Sequence, residues 1–218
     1  MNFLGHALIS LALDDAHRQQ TLYGNFAGDF YKGPVAALPL PAALRAGVVL
    51  HRRIDSLADR ADNPLYPLLG GFGRCKGIVA DMFIDHFLCR DFERLFRQDL
   101  AGVAADILRR VGAYRPLFPA AFARTFAWLE ADNVLPRYGD RAFLARAFAG
   151  IAQRLRRGDI LTTATAVLDA DEAAFAGRAV QAFFRVRRES MVPFLRGDDA
   201  CHRPCRGAAC GDVPTTSG

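Results

Sequence analysis

The chain has 218 residues, 51% of them hydrophobic, and a formal net charge of +5. That length suits one domain with a sizeable core, and so modest a positive excess does not demand nucleic acid as a partner. The apolar set is mostly Ala, Leu and Phe with few β-branched alternating runs, which disfavours a β fold, and charge interrupts every apolar stretch within about 18 residues, which excludes a membrane span.

The apolar spacing predicts an all-α protein. The first helix, 3–14, is apolar but has no basic residue ahead of its apolar part and no small-residue cleavage site, so it does not read as a signal peptide. Helices at 20–31 and 40–60 are closed by Gly33-Pro34 and by Asp62-Asn63-Pro64. A short helix at 65–71 runs into a loop of Gly70, Gly71 and Gly73, and a longer one follows at 75–97. Helices at 100–112, 117–131, 140–157 and 166–195 complete the domain, with boundaries at Pro116, Pro119 and Pro136. Residues 197–218 are rich in Gly, Pro, Asp and Thr and lack apolar periodicity, so they read as a disordered tail on a domain of 1–196. Cys75 and Cys89 stand alone in helical patterns, as reduced thiols of a cytoplasmic protein would. Cys201, His202, Cys205 and Cys210 in the tail fit no standard zinc spacing.

The residues that carry chemistry are His and Asp placed where helices are otherwise apolar. His6 lies within Phe3-Leu4-Gly5-His6-Ala7-Leu8-Ile9, and Asp29 within Asn25-Phe26-Ala27-Gly28-Asp29-Phe30. His51 and Asp55 are four apart, as are Asp81 and Asp85, with His86 next in line. Residues i and i+4 stack on one helix face about a turn apart, so each pair can reach one ion together. Burying so many polar groups is costly unless they pair or coordinate a metal, and imidazole with carboxylate suits zinc, manganese, iron or magnesium. Each member also has a plainer reading: His6 as a hydrogen-bonded core histidine, His51 paired with Asp55 on a wet face, and Asp85-His86 on a helix surface. His17 reads as part of a solvated loop.

Four blocks occur in order: Asn2-Phe3-Leu4-Gly5-His6, Gly24-Asn25-Phe26-Ala27-Gly28-Asp29-Phe30-Tyr31-Lys32-Gly33, His51-Arg52-Arg53-Ile54-Asp55 and Asp81-Met82-Phe83-Ile84-Asp85-His86-Phe87-Leu88. They resemble the signature blocks of the acyl carrier protein phosphodiesterase family, and they cover residues 2–90. The resemblance implies a single helical domain distantly like HD-domain phosphohydrolases. It implies hydrolysis of the phosphodiester joining 4′-phosphopantetheine to a serine of acyl carrier protein, a small acidic substrate protein, with manganese or another divalent cation as cofactor. Carried over by position, His6, Asp29, His51, Asp55, Asp85 and His86 are the expected metal-site residues, with Asp81 a weaker match. Gly5 and Gly28 stand where Ala is more usual, which is expected to be a mild change in packing.

Such chemistry needs a nucleophile and neutralisation of phosphate charge. Asp29, expected to be buried, is the candidate base or the bridge to a second ion, with Lys32 and Arg52 as candidate catalytic phosphate-binding groups beside it and Arg53 as a further cation. An acidic carrier calls for a basic surface, and Arg109-Arg110, Arg154 with Arg156-Arg157, and Arg185 with Arg187-Arg188 are all available. Two alternatives remain open: an HD-type nucleotide phosphohydrolase, and a non-catalytic Arg-rich module that binds an acidic partner.

Overall fold

A computed structural model describes residues 1–195, and the Cys-containing segment lies outside them. Among the described residues the protein is all-α, without a strand. Its helices are α1 (Phe3–His17), α2 (Leu22–Phe26), α3 (Ala42–Ala58), α4 (Lys76–Arg90), α5 (Phe92–Phe96), α6 (Leu100–Gly112), α7 (Ala120–Ala131), α8 (Val134–Arg137), α9 (Arg141–Ala152), α10 (Ala164–Ala170) and α11 (Glu172–Leu195). No described helix is long and apolar enough to cross a membrane.

Three expected helices divide. The stretch 20–31 is α2 followed by a 3-10 turn over Gly28–Phe30, which exposes Asp29. The stretch 75–97 breaks at Asp91, whose side chain pairs with Arg90 and Arg94. The last stretch begins earlier than expected and parts at Asp171 into α10 and α11. Residues 65–71 form 3-10 turns, which a Pro at the first turn and a Gly pair favour over a regular helix.

α4 is the central element: Met82 to Cys89 are all buried, so the helix is enclosed around its whole circumference and is mostly apolar there, as a helix surrounded by others is. α1 and α11 pack on it, and α3 packs on α11 and α2. The start of α1 is held by α4. Asn2 caps the helix through its own side chain, and the fully buried Asp85 carboxylate accepts the backbone N–H groups of Asn2, Leu4 and Gly5 at 3.3, 2.9 and 3.2 Å. Those donors have no partner inside the helix. At its other end α1 sends Asp14 to accept the N–H groups of Thr21 and Leu22 and the Thr21 hydroxyl, which fixes the turn into α2.

α2 and α3 cross at two glycines. A β-carbon on Gly24 would lie 2.1 Å from the Leu44 carbonyl oxygen, and one on Gly47 would lie 2.3 Å from that of Thr21. Only bare α-carbons allow this approach, and it brings residue 25 of one helix against residue 51 of the other. Gly47→Ala is therefore expected to destabilise the protein by about 1–3 kcal/mol, the usual cost of overpacking, measured by denaturant unfolding. A variant as stable as the parent would show that the crossing is looser than this.

Candidate active site

His6 on α1 and His51 on α3 face each other across the α2 crossing. Their rings stack with centroids 4.4 Å apart and planes at 26°. Asp55, one turn after His51, places its two oxygens 3.1 Å from His6 Nε2 and 3.1 Å from His51 Nε2. Asp29 reaches in from the 3-10 turn, with Oδ1 3.4 Å from His51 Nε2. The two histidines are buried, while the side chains of Asp55 and Asp29 are 39% and 75% exposed. The site therefore has a buried imidazole floor and a carboxylate rim open to solvent. Asp29 is not the buried carboxylate expected from its apolar neighbours, because the helix ends just before it.

Asn25 sets both imidazoles. Its amide Nδ2 donates to the His6 carbonyl and to Ser10 Oγ, both at 2.8 Å. That leaves Oδ1 as acceptor for His6 Nδ1, 2.7 Å away. Its backbone carbonyl accepts from His51 Nδ1 at 2.8 Å. Both rings thus carry hydrogen on Nδ1 in the neutral form and turn a bare Nε2 toward Asp55. Those Nε2 atoms are buried and make no hydrogen bond, which costs about 1–3 kcal/mol each if nothing fills the space between them. Ligand atoms of His6, His51 and Asp55 all lie within 4.8 Å of one another. Two imidazoles held from behind at Nδ1, with a carboxylate between them, form a donor set that could hold a divalent metal ion.

The same contacts set the charge states. Burial alone lowers the His51 pKa, but the Asp29 and Asp55 carboxylates outweigh it and raise the group to about 9. Burial lowers that of His6, and repulsion from His51 adds to the effect. Burial raises the Asp55 carboxyl, but its two histidines prevail and hold it well below the usual carboxylate range. Asp29 is held below its ordinary value by its pairing with the His51 ring.

The other expected site residues lie elsewhere. Asp85 is the capping carboxylate of α1 described above, and burial pushes it up to about 7 against the N–H donors that favour its charge. His86 donates from Nδ1 to the Tyr138 carbonyl at 2.8 Å and is influenced by Arg141, Arg90 and Glu172. Neither joins the His6–His51–Asp55 group. Asp81 lies 2.6 Å from the amino group of Met1. Arg52 donates to the carbonyls of Tyr31 and Gly33 at 3.0 and 2.7 Å, so it pins the loop that carries Asp29 and the exposed Lys32. Gly28 is no mild exchange for Ala: a β-carbon there would lie 2.2 Å from Cγ of His51. Asn25 was missed as a site residue. The signal available for it was a polar side chain three residues before a glycine in an otherwise apolar helix, a pattern that an ordinary turn approach shares.

The fold and the site define an all-α protein with a paired-histidine, carboxylate-rimmed centre. The chain belongs to the acyl carrier protein phosphodiesterase family, whose profile matches residues 1–186. It is 31% identical to the acyl carrier protein phosphodiesterase of Serratia proteamaculans over 72% of this chain and 80% of that protein. It is 30% identical to those of Yersinia enterocolitica, over 71% and 79%, and of Escherichia coli O157:H7, over 87% and 97%. No solved structure matches the chain, so the implied likeness to HD-domain phosphohydrolases rests on sequence alone.

Two measurements follow from this geometry. Asn25→Ala should weaken divalent-metal binding about 10–100-fold, the usual effect of losing the group behind a ligating histidine, as read by calorimetric titration with manganese; unchanged affinity would remove Asn25 from the site. The second concerns pH. The His51 pKa is raised above its ordinary value of about 6.5, so in the metal-free protein its pairing with Asp29 and Asp55 contributes stability that is full below about pH 6.5 and is lost as pH rises through about 9. A ligating imidazole must be unprotonated. Manganese affinity should therefore rise between pH 6 and pH 9, by up to about tenfold per unit, with proton release visible in buffers of different ionisation enthalpy.

Proposed function

We propose that the protein hydrolyses the phosphodiester linking 4′-phosphopantetheine to a serine of acyl carrier protein, using a divalent metal, manganese in first place, held by His6, His51 and Asp55. The single observation that carries this reading is the pair of buried Nε2 atoms, neither of them hydrogen-bonded, that converge on Asp55 beside the exposed Asp29, in a chain of the phosphodiesterase family. The ion would supply neutralisation of the phosphoryl charge and a water whose pKa is lowered to about 7.

The protein's own groups supply the rest. Asp29 stands at the rim, is held ionised, and accepts the proton of the attacking water. A bond forms from the water oxygen to phosphorus, the bond from phosphorus to the serine oxygen breaks, and the serine oxygen takes up a proton. The products are the apo-carrier and free 4′-phosphopantetheine. Lys32, three residues from Asp29 and exposed, is placed to meet phosphate oxygens as a point charge. Arg52 is a positioning residue that holds the Asp29–Gly33 turn through two carbonyls. His51 and Asp55 combine ligation with fixing the charge of Asp29.

The assay is the mass of the carrier. With manganese the protein should convert holo- to apo-carrier, and a chelator should abolish the conversion. Asp29→Ala should lower kcat about 10²–10⁴-fold, the range for loss of a general base, with the fold intact because the side chain is exposed. His51→Ala should lower metal affinity and be partly rescued by extra manganese. If nucleotides are cleaved while the holo-carrier stays intact with every divalent metal tried, the protein is a nucleotide phosphohydrolase. If nothing is cleaved and no metal binds, an arginine-rich binding module becomes the better account.

A further inference from the structure

The three basic runs of the sequence have different fates in the fold. Arg109 and Arg110 are paired with Asp106, and Arg110 also with Asp15. Arg185 is committed to Asp62 and to the Leu57 carbonyl, while beside it Arg187 lies over the Phe184 ring and Arg188 meets no carboxylate among the described residues. Arg154, Arg156 and Arg157 are exposed and meet no carboxylate among the described residues.

Arg154 lines a groove of about 770 Å³ between the start of α1, α7 and α9, together with Phe3, Arg124, Trp128, Arg137 and Arg146. Arg124 and Arg146 also lack a carboxylate partner among the described residues, and Arg137 lies over the Phe143 ring at 5.1 Å. Asp132 is the one acidic residue on the groove wall. Trp128, the single tryptophan of the chain, is 42% exposed there. A second groove of about 530 Å³ begins where the first ends along the chain, with Arg156, Arg157 and Arg74 around Leu155 and Ile160. Trp128, Leu155 and Ile160 are three of the four large apolar side chains exposed among the described residues.

Unpaired arginines interleaved with exposed apolar groups are what protein interfaces concentrate, Arg and Trp above all. Arginines already paired within the chain would have to give up a partner to bind another. The first groove ends at Asn2 and Phe3, and His6 follows Asn2 by four residues on α1, about 6 Å along the helix axis.

We propose that the groove of Arg124, Trp128, Arg146 and Arg154 docks the negatively charged face of the acidic carrier protein. The inference rests on the substrate reading above and goes beyond it by choosing one of the three basic surfaces. The charge complementarity is local: four arginines against one aspartate line the groove, in a chain whose whole net charge is only +5.

The test uses the full chain and Trp128 emission, titrated with purified apo-carrier, which lacks the scissile bond, and with holo-carrier. Apo-carrier should change the emission saturably, and the response should weaken as salt is raised. Arg124→Glu with Arg154→Glu should weaken apo-carrier binding about tenfold or more and raise KM for holo-carrier similarly, the loss falling on KM rather than kcat. Arg109→Glu with Arg110→Glu should leave both values as they were. All four arginines are surface groups, and a circular dichroism melt checks the fold of each variant. If the parent hydrolyses holo-carrier but the groove variants keep its KM and affinity, the docking surface is elsewhere and the activity stands. If a single-stranded oligonucleotide saturates the Trp128 response and the carrier does not, the groove is a nucleic-acid site and the proposal falls. If neither carrier form binds or is cleaved, the docking surface and the substrate reading fall together.

Discussion

The candidate site depends on one asparagine. Asn25 is fully buried, and all three of its hydrogen-bonding groups that face the site are spent on orienting two histidines from two other helices. A buried amide is costly without partners and specific with them. Here the amide is satisfied only if α1 and α2 sit in one register, and the Asn25 backbone carbonyl meets His51 only if α3 joins them. The Gly24–Gly47 approach makes that register sterically available, and the turn held by Asp14 delivers α2 to it. The imidazole geometry therefore follows from helix packing.

The buried acids and histidines of the N-terminal ninety residues divide into two jobs. Asp85 and His86 sit on the most enclosed helix and satisfy backbone: Asp85 the N–H groups that open α1, His86 the Tyr138 carbonyl that closes α8. Asp29 and Asp55 sit where helices meet solvent and turn their oxygens to the paired imidazoles. The two jobs are linked through α1, because the cap that Asp85 provides at its first turn sets where His6 points one turn later. An identical residue type in a neighbouring block can thus be indispensable to the site without touching it.

Charge is partitioned in a similar way. On the α6 face arginines close on Asp of the same chain, and such exposed pairs contribute little to stability, while on α11 Arg185 closes on Asp62. Around α7 and α9 the arginines have no such partner, and the apolar groups between them stay uncovered. A net charge of +5 hides this difference, since the field that a partner meets depends on which cations remain uncompensated.

Local pattern was enough to establish the all-α class, the positions of α1, α3, α6 and α7 to within a few residues, and His6, His51 and Asp55 as residues out of keeping with their apolar helices. Helical spacing fixes which side chains share a face, and the His51–Asp55 pair needed nothing more. The separation of Asp85 and His86 from that pair, the exposure of Asp29, the part played by Asn25 and the choice among basic runs were decided only by the tertiary structure. Each of these turns on how a residue meets what surrounds it in the fold: an unpaired N–H at the start of α1, a helix that stops three residues before Asp29, a ring nitrogen within 2.7 Å, an aspartate within reach of an arginine. A periodic sequence says which way a side chain faces along its own helix; what meets it there is set by how the helices pack.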